Sequence, residues 1–351
     1  MKFFFLALVI GEATGVTSFK FFLKKNHFKI LYVISTDKKY HKVIKDIANK
    51  NKIKFFTKEE YKKKITQILK ISKDCDYLIS IFSKLIISRI LLTKFKKFCF
   101  NFHPGILPYY SGLNCVSGAI YNNEKYVGIT MHQMTEKPDQ GKIIFIKKIK
   151  LQINNTPADV MPKLRESTIF LLEKFSNYIK KNKKFSFRKN YIKKRKFFPK
   201  FMPNDGLVEK TITSKELFRL NVASTFGLFK SEWGNLCFIF NKKKYFFSPI
   251  KSLNQRSIFF SKDVEFVEKK EKVFYLNVQD KKVKIKILNN EKNLSKDLRN
   301  FSIKRNQNNY QITEVNKNNP LNKNNPLKKN DYFNLAKSKK KFLEIKKINE
   351  N

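Results

Sequence analysis

Three polar residues near the middle of the chain have types and a spacing that suit general-acid catalysis and stabilisation of an oxyanion. Asn101 and His103 stand two positions apart at the end of a candidate strand, residues 98–102. Side chains alternate between faces with period two, so both residues point to the same side. Asp139 follows in a loop after a second candidate strand, residues 127–134. If the two strands are neighbours, the carboxylate returns to the same edge of the sheet.

Each of these residues is weak evidence when taken alone. A single histidine is more often a satisfied structural group than a catalyst, and an aspartate close to a glycine more often forms a turn. Together, a carboxamide, an imidazole and a carboxylate form a candidate general-acid and oxyanion site. The chemistry of the chain is therefore predicted to lie between Asn101 and Gly141.

The first half of the chain alternates short apolar runs with helical patterns. This order predicts an α/β fold with a mostly parallel, doubly wound sheet, whose ligands collect at the carboxyl ends of the strands. The sequence Thr156-Pro157-Ala158-Asp159 predicts the start of a long amphipathic helix that closes the first domain. The candidate strands are residues 3–10, 29–35, 52–56, 77–81, 98–102, 127–134 and 143–149, and the candidate helices are residues 17–25, 40–50, 58–71 and 85–92.

A length of 351 residues predicts two domains. Residues 1–181 form the first, and residues 182–206 are interpreted as a linker packed on it, although their lysines and aromatic rings would also suit RNA. Residues 207–294 predict a small β domain, a barrel or a sandwich, because short alternating segments follow a helix at 214–223. Residues 295–351 form a basic Lys/Asn-rich tail that is predicted to be poorly ordered. Within it, the hexapeptide 316–321 recurs at 322–327, and residues 333–348 could form a basic helix.

The formal charge of +47 has two interpretations. Such an excess is typical of proteins that bind nucleic acid or an anionic membrane. The charge is carried mostly by lysine in a chain rich in Asn, Ile and Phe, which also fits codon bias in an AT-rich genome, and this second interpretation is favoured.

Cysteines and apolar segments bear on the compartment. The four cysteines form no C-x-x-C pair, so neither a metal site nor a disulfide framework is predicted, and a reducing cytoplasm fits. The apolar start, residues 3–10, is interpreted as a buried strand rather than as part of a signal peptide, because the run is short and no A-x-A site follows. No segment approaches the roughly 20 apolar residues that span a bilayer.

Two motifs resemble the folate-dependent formyltransferase family, which includes methionyl-tRNA, glycinamide ribonucleotide and amino-sugar formyltransferases. The first is NFHPGILPYYSG, with its Asn-x-His and Leu-Pro turn, and the second is GITMHQMTEKPDQGKII, which contains Asp139. The resemblance extends from the first strand to about Lys181 and, less clearly, through residues 205–227.

The resemblance implies a Rossmann-like catalytic domain with a small C-terminal β-barrel-like domain. It implies transfer of a formyl group from 10-formyltetrahydrofolate, a co-substrate, to a primary amine without a metal. Asn101 and His103 would donate hydrogen bonds to the oxygen of the tetrahedral intermediate, and Asp139 would orient or charge-stabilise His103 and help to move the amine's proton. The resemblance places the pterin ring near two segments, Ser80, Ile81, Phe82 and Ser83, and Thr135, Glu136, Lys137 and Pro138.

The acceptor is the open question. Relatives acting on initiator tRNA usually carry an arginine-rich turn after Leu-Pro, and this chain has Tyr109, Tyr110 and Ser111 there. These residues and His132 are predicted to bind the acceptor, an amino sugar or another small or carrier-bound amine, although His132 could equally be a half-buried strand residue. The alternative is a methionyl-tRNA formyltransferase acting on initiator tRNA. A second alternative is a non-catalytic basic RNA-binding protein. No membrane partner is predicted.

Overall fold

A computed structural model of the chain describes residues 2–191, 197–198, 202–208, 211–226, 233–240, 243–249, 264–268, 272–277, 279 and 282–287. The chain divides into two units, Met1–Pro199 and Lys200–Asn351. The predicted tail, with its hexapeptide repeat and basic helix, lies outside the described residues.

The first unit contains a seven-stranded sheet with the strand order β3-β2-β1-β4-β5-β7-β8. The first five strands in this order run parallel, and β7 and β8 are antiparallel to their neighbours. The predicted mostly parallel sheet is therefore confirmed. Its strands are β1 (Phe4–Ile10), β2 (Phe28–Ser35), β3 (Lys54–Thr57), β4 (Tyr77–Ile81), β5 (Phe98–His103), β7 (Tyr126–Gln133) and β8 (Ile143–Lys150), and a separate short pair is β6 (Ser111–Gly112) with β9 (Phe197–Phe198).

Helices cover both faces of this sheet, as the near-continuous apolar strands require. On one face, Tyr61, Ile68 and Leu91 from three helices pack on Tyr32 and Leu78 of the sheet. On the other face, aromatic rings from the first and the last helix meet rings of the strands. The helices of this unit are α1 (Glu12–Leu23), α2 (His41–Lys50), α3 (Lys58–Lys63), α4 (Ile65–Ser72), α5 (Arg89–Leu92), α6 (Cys115–Tyr121) and α7 (Pro157–Lys180).

The long helix α7 begins where the sequence predicts. The Thr156 side chain accepts a hydrogen bond from the Asp159 main chain, and the Asp159 carboxylate accepts one in return from the Thr156 main chain. This capping box satisfies main-chain donors that the first turn would otherwise leave unpaired.

Three predicted helices differ from the structure. Helix α1 begins at Glu12 rather than at 17, because Gly11 is extended and already acts as its N-cap. The helix predicted over 58–71 is broken at Lys64, whose φ and ψ of −109° and 26° are not helical. Only the end of the one predicted over 85–92 is helical, since the Ser88 hydroxyl caps it by accepting from the main-chain N–H of Leu91. Helix α6 was not predicted.

The second unit contains helix α8 and a five-stranded antiparallel sheet of order β10-β11-β14-β13-β12. The Thr213 side chain caps α8 in a second capping box, and Tyr245 and Phe247 of β11 are buried. The alternating segments of the sequence are strands, and closure into a barrel stays a prediction. The elements are α8 (Ser214–Ser224), β10 (Leu236–Phe240), β11 (Lys243–Pro249), β12 (Val264–Glu268), β13 (Lys272–Asn277) and β14 (Lys282–Ile287).

The segment after α7 packs on the sheet of the first unit. The Phe185 ring lies 5.1 Å from Phe100 and 5.8 Å from Tyr178, centroid to centroid, and the Phe187 ring lies 5.3 Å from Phe98. The main chain of Arg188 exchanges two hydrogen bonds with that of Ile143. This part of the predicted linker is therefore fixed to the sheet.

Candidate active site

A row of polar side chains crosses the sheet near the carboxyl end of β5. Ser80 of β4 is paired with Asn101 of β5, which is paired with His132 of β7. His103, two positions further, is paired with Thr130. Paired residues of adjacent strands share a face, so these side chains lie on one side of the sheet. Asn101 and His103 therefore lie on the same side of the sheet.

Asn101 and His132 are joined side chain to side chain. The Asn101 Nδ2 lies 3.1 Å from His132 Nε2, and His132 Nδ1 lies 2.9 Å from the main-chain oxygen of Gln133. A carbonyl oxygen only accepts, so Nδ1 carries the proton and Nε2 accepts from the amide. This assignment directs the NH₂ end of Asn101 toward His132. One of its two amide hydrogens is used in that bond.

His103 is buried, with 4 % of its surface exposed. Its Nε2 lies 2.8 Å from the main-chain oxygen of Tyr110, so Nε2 carries a proton by the same reasoning. Its Nδ1 lies 3.5 Å from Oδ1 of Asp139. A carboxylate facing Nδ1 stabilises a second proton there and hence the imidazolium.

Asp139 is the centre of the charged cluster. Its Oδ1 lies 3.5 Å from His103 and 3.6 Å from Nε2 of His132, and its Oδ2 accepts a 2.8 Å hydrogen bond from the main chain of Gly112. Burial raises the pKa of this carboxyl. The positive charge of His103 and the hydrogen bond from the Gly112 N–H outweigh burial and hold the pKa well below its ordinary range. Asp139 is therefore ionised at neutral pH.

The main chain of Asp139 is strained. Its φ of +58° lies in the left-handed region, which costs a residue other than glycine about 1–3 kcal/mol. A conformation of this kind persists when its surroundings fix it, and such residues cluster at functional sites. Two surrounding contacts are the Gly112 bond and a pair of hydrogen bonds from Asn190, whose Nδ2 lies 2.9 Å from the Asp139 oxygen and 3.1 Å from the Gly141 oxygen.

The turn after His103 is held against β7. The Thr130 hydroxyl donates to the Gly105 oxygen at 2.6 Å and accepts from the Leu107 N–H at 3.1 Å. A Cβ on Gly105 would stand 2.6 Å from Nε2 of His103 and 2.3 Å from the Tyr110 oxygen. Only glycine allows this approach of the turn to the imidazole.

The residues predicted to bind folate lie in two groups. Ser80, Ile81 and Phe82 are buried at the end of β4, while Ser83 is half-buried and its hydroxyl accepts from the Leu85 N–H. The second group is the exposed part of the loop that leads to Asp139. It contains Thr135, Glu136, Lys137 and Pro138. Ser80 alone among them lies in the polar row, and their role in binding stays a prediction.

The residues predicted to bind the acceptor separate in the structure. Tyr109 is exposed by 44 %, whereas Tyr110 and Ser111 are buried. The Tyr110 hydroxyl donates to Glu124 and its ring stacks on Phe198. Burial, followed by that bond to Glu124, raises the pKa of Tyr110 above its ordinary value. His132 lies inside the Asn101–Asp139 cluster, so of the four Tyr109 is the exposed one.

Four residues of this region were not singled out from the sequence. Thr130 could have been, because it lies two positions before His132 on the same face of a strand. Cys115, whose Sγ lies 3.5 Å from His103 Nε2, belongs to the unpredicted helix α6. The main-chain N–H of Gly112 and the amide of Asn190 have no sequence signal that indicates their contacts.

Within the described ranges, no group of three or more His, Cys, Asp or Glu side chains is suited to hold a metal ion. None of the helices described combines the length and apolar character that a bilayer crossing requires. The four cysteines are buried and form no disulfide bond.

Comparison with known proteins finds a matching family model and curated relatives. Residues 5–173 match the family model described as formyl transferase. The chain is 28% identical over 232 residues to the bifunctional polymyxin resistance protein ArnA of Wigglesworthia glossinidia brevipalpis, a match that covers 63% of this chain and 34% of the relative. It is 29% identical over 184 residues to a methionyl-tRNA formyltransferase of Buchnera aphidicola subsp. Schizaphis graminum, covering 50% of this chain and 59% of that one.

A solved structure shares the fold. The N-formyltransferase of Helicobacter canadensis, in complex with folinic acid and dTDP-3-aminofucose, is 24% identical with a TM-score of 0.55, covering 80% of this chain and 98% of that one. The curated relatives are matched over one third to three fifths of their own lengths.

Proposed function

We propose that this chain, whose residues 5–173 match the formyl transferase family model, transfers the formyl group of 10-formyltetrahydrofolate to a primary amine. The amine nitrogen forms a bond to the formyl carbon, and the bond from that carbon to N10 of the folate breaks. One amine proton leaves, and N10 takes one proton in the released tetrahydrofolate. The acceptor we propose is an amino sugar or another small or carrier-bound amine.

The contact of His103 and His132 with one buried carboxylate, and the bond of Asn101 to His132, carry this proposal. Acyl transfer to an amine passes through a tetrahedral intermediate with negative charge on the former carbonyl oxygen. Asn101 keeps a second amide hydrogen beyond the one bonded to His132, and His103 is favoured as a cation by Asp139. A donor and a positive charge in a buried site stabilise such an oxyanion.

The low pKa of Asp139 assigns the proton work to His103. A carboxylate that remains ionised far below neutral pH is a weak base, so we assign to Asp139 the role of charge partner. His103 is then the group that holds and moves a proton. The predicted contribution of Asp139 to proton transfer is thereby limited to orienting His103 and stabilising its charge.

The folate would lie along the end of β4 and the loop before Asp139. Ser80 borders Asn101 in the polar row, and Ser83 and Thr135 supply hydroxyls and main-chain groups nearby. The carboxyl ends of parallel strands are the usual ligand-binding edge of such a sheet. We therefore propose that these two segments bind the co-substrate.

The turn after His103 supports a small acceptor. Its Tyr109-Tyr110-Ser111 sequence offers hydroxyls where a cationic fork would suit phosphate, and Tyr110 is already bonded to Glu124. A structural neighbour is described with dTDP-3-aminofucose, a nucleotide-linked amino sugar. On this basis we favour an amino-sugar acceptor.

A formyl-transfer assay tests the proposal. The purified protein is incubated with 10-formyltetrahydrofolate and a panel of nucleotide-linked amino sugars, and the formylated product is measured by mass spectrometry. We expect transfer to at least one amine. If no amine is formylated and no folate binds, the chain is not an enzyme of this kind, and a basic RNA-binding role becomes the better explanation.

Initiator tRNA is the second candidate acceptor. A methionyl-tRNA formyltransferase is among the relatives, and the charge of +47 suits phosphate. Charged initiator tRNA is therefore included in the same assay. Rapid formylation of tRNA that raised salt abolishes, with no reaction of the amino sugars, would replace the small-acceptor proposal.

A further inference from the structure

Asn190 belongs to the segment after α7, outside both motifs that carry the family resemblance. Yet 93 % of its surface is buried, and its Nδ2 donates both to the Asp139 oxygen and to the Gly141 oxygen. These two carbonyls begin and end the last turn of the loop that delivers the carboxylate. Asn190 therefore clamps the main chain on both sides of the turn.

We propose that Asn190 is a positioning residue for formyl transfer, which holds the strained turn 139–141 so that the Asp139 carboxylate stays between His103 and His132. The expected loss of turnover rests on the proposed function. The positioning of the Asp139 carboxylate rests on the contacts alone.

The segment that carries Asn190 is rigidly attached. The Phe185 ring packs 5.1 Å from Phe100 and the Phe187 ring 5.3 Å from Phe98, and the main chain of Arg188 pairs with Ile143 at the start of β8. Asn190 follows two positions later. The amide is therefore presented from a fixed point of the sheet rather than from a mobile loop.

The chemistry of the contact requires an amide. Both partners are carbonyl oxygens, which only accept, so one side chain must donate twice to satisfy both, and the NH₂ of asparagine supplies two hydrogens. Among the described residues, no partner of Asn190 Oδ1 is found, so the amide orientation is set by its Nδ2 end. An aspartate at this position would place a carboxylate oxygen against two carbonyl oxygens.

The turn needs such a clamp for two reasons. Asp139 has a φ of +58°, and a Cβ on Gly141 would stand 1.8 Å from the Gln133 oxygen, so the turn is closed against β7. The groups that face the carboxylate are His103, His132 and the Gly112 N–H. A small displacement of the turn lengthens all three contacts at once.

The test compares Asn190→Ala and Asn190→Asp with the wild-type chain. Ser176→Ala is the matched control, because it deletes a buried long-range hydrogen bond, to His27, that is distant in sequence from the loop. We expect kcat to fall about 10- to 100-fold in both Asn190 variants, as for small misplacements of catalytic groups. The KM for the folate should change less than kcat, and the control should keep wild-type kcat.

A second readout needs no substrate. Carboxyl carbon NMR between pH 3 and 7, with the Asp139 signal assigned from Asp139→Asn, follows the titration of that one group. We expect the wild-type carboxyl to stay ionised across the range, and the Asn190→Ala carboxyl to titrate within it. A structural role alone would lower thermal stability without moving this titration.

The outcomes are distinguishable. Wild-type kcat with a wild-type Asp139 titration in Asn190→Ala overturns the inference. Should Asn190→Ala fail to fold, Asn190→Ser keeps one donor, and an intermediate kcat supports the clamp whereas wild-type kcat contradicts it. A wild-type chain that formylates no amine refutes the proposed function, and the titration then still decides whether Asn190 positions Asp139.

Discussion

The two faces of β5 differ in chemistry although their residues alternate along the same six positions. Phe98 and Phe100 face rings of α7 and of the segment after it. Asn101 and His103 face the polar row and Asp139. The first face is apolar and close-packed. The second buries polar groups that are joined by hydrogen bonds and charge.

The difference separates stability from activity. Packed rings stabilise a fold roughly in proportion to the apolar surface that they bury, and the identity of each ring matters less than its volume. Buried polar groups depend on distance and direction, because each unpaired group costs free energy. A substitution on the apolar face should therefore change stability at nearly constant turnover, whereas a substitution on the polar face should lower turnover and stability together.

The largest effect is expected from His103→Ala, on the polar face. Loss of the imidazolium removes both a positive charge and the proton-carrying group, so kcat/KM should fall about 10³- to 10⁴-fold. The thermal transition should also fall, because the buried Asp139 carboxylate loses its cationic partner. Formyl transfer and calorimetry are measured in parallel, with His41→Ala as a control histidine distant in sequence from the site. An active His103→Ala enzyme would remove this residue from the mechanism.

Phe175→Ala, on the apolar face, is expected to lower stability and to leave kcat unchanged. The Phe175 ring lies about as close to Phe28 (6.0 Å) as to Phe100 (5.9 Å), and it is fully buried. Its truncation should cost about 3–5 kcal/mol in the free energy of unfolding, measured with urea. Phe175→Leu keeps more of the volume and should cost about 1.5 kcal/mol or less.

The kcat of Phe175→Ala tests whether the two faces of β5 act independently. Below its transition, folded Phe175→Ala should keep wild-type kcat. If kcat instead falls as far as it does in His103→Ala, the two faces are coupled and their separation is wrong.

The sequence predicts the apolar face well. Alternation of Phe98, Phe100 and Phe102 with polar neighbours is a local pattern, and the cap at Thr156 is another. The strand over 98–102 and the start of α7 were predicted because neighbouring residues alone determine such patterns. The predicted helix over 85–92 failed for a similar local reason, since the Ser88 hydroxyl caps the helix at its own position and starts it late.

The polar face is only partly predictable. Asn101, His103 and Asp139 are indicated by type and spacing, whereas His132 reaches Asn101 through the register of β5 and β7, which no local pattern fixes. Asn190 lies about fifty positions after Asp139 in a Lys-rich stretch. Contacts of that kind depend on tertiary packing, and they determine how the predicted residues are held.

A smaller effect is expected from acidification, and it reports on the polar face alone. The folded pKa of Asp139 is depressed, so its contribution to stability is complete above the ordinary carboxyl pKa and is lost as pH falls through the folded value. The window therefore opens below about pH 4. A carboxyl of this kind contributes on the order of 2 kcal/mol.

Urea unfolding at pH 7 and pH 3 measures that contribution. Asp139→Asn should remove part of the difference between the two pH values, because the unfolded chain then takes up no proton at position 139 as the pH falls. An unchanged difference would show that Asp139 is not charge-coupled to His103 and His132.

The smallest effect is expected from Thr156→Ala, which removes the helix cap of α7 and leaves the aromatic rings of the apolar face unchanged. The Thr156 side chain accepts from the Asp159 main chain at the start of α7, the helix that carries Phe175. Loss of this cap should cost about 1 kcal/mol in the free energy of unfolding. Thr156→Ser keeps the hydroxyl and should retain most of it. Because the cap makes its hydrogen bonds within the first turn of α7, kcat should stay at the wild-type value, and a fall in kcat beyond twofold would mean that the cap also positions the site.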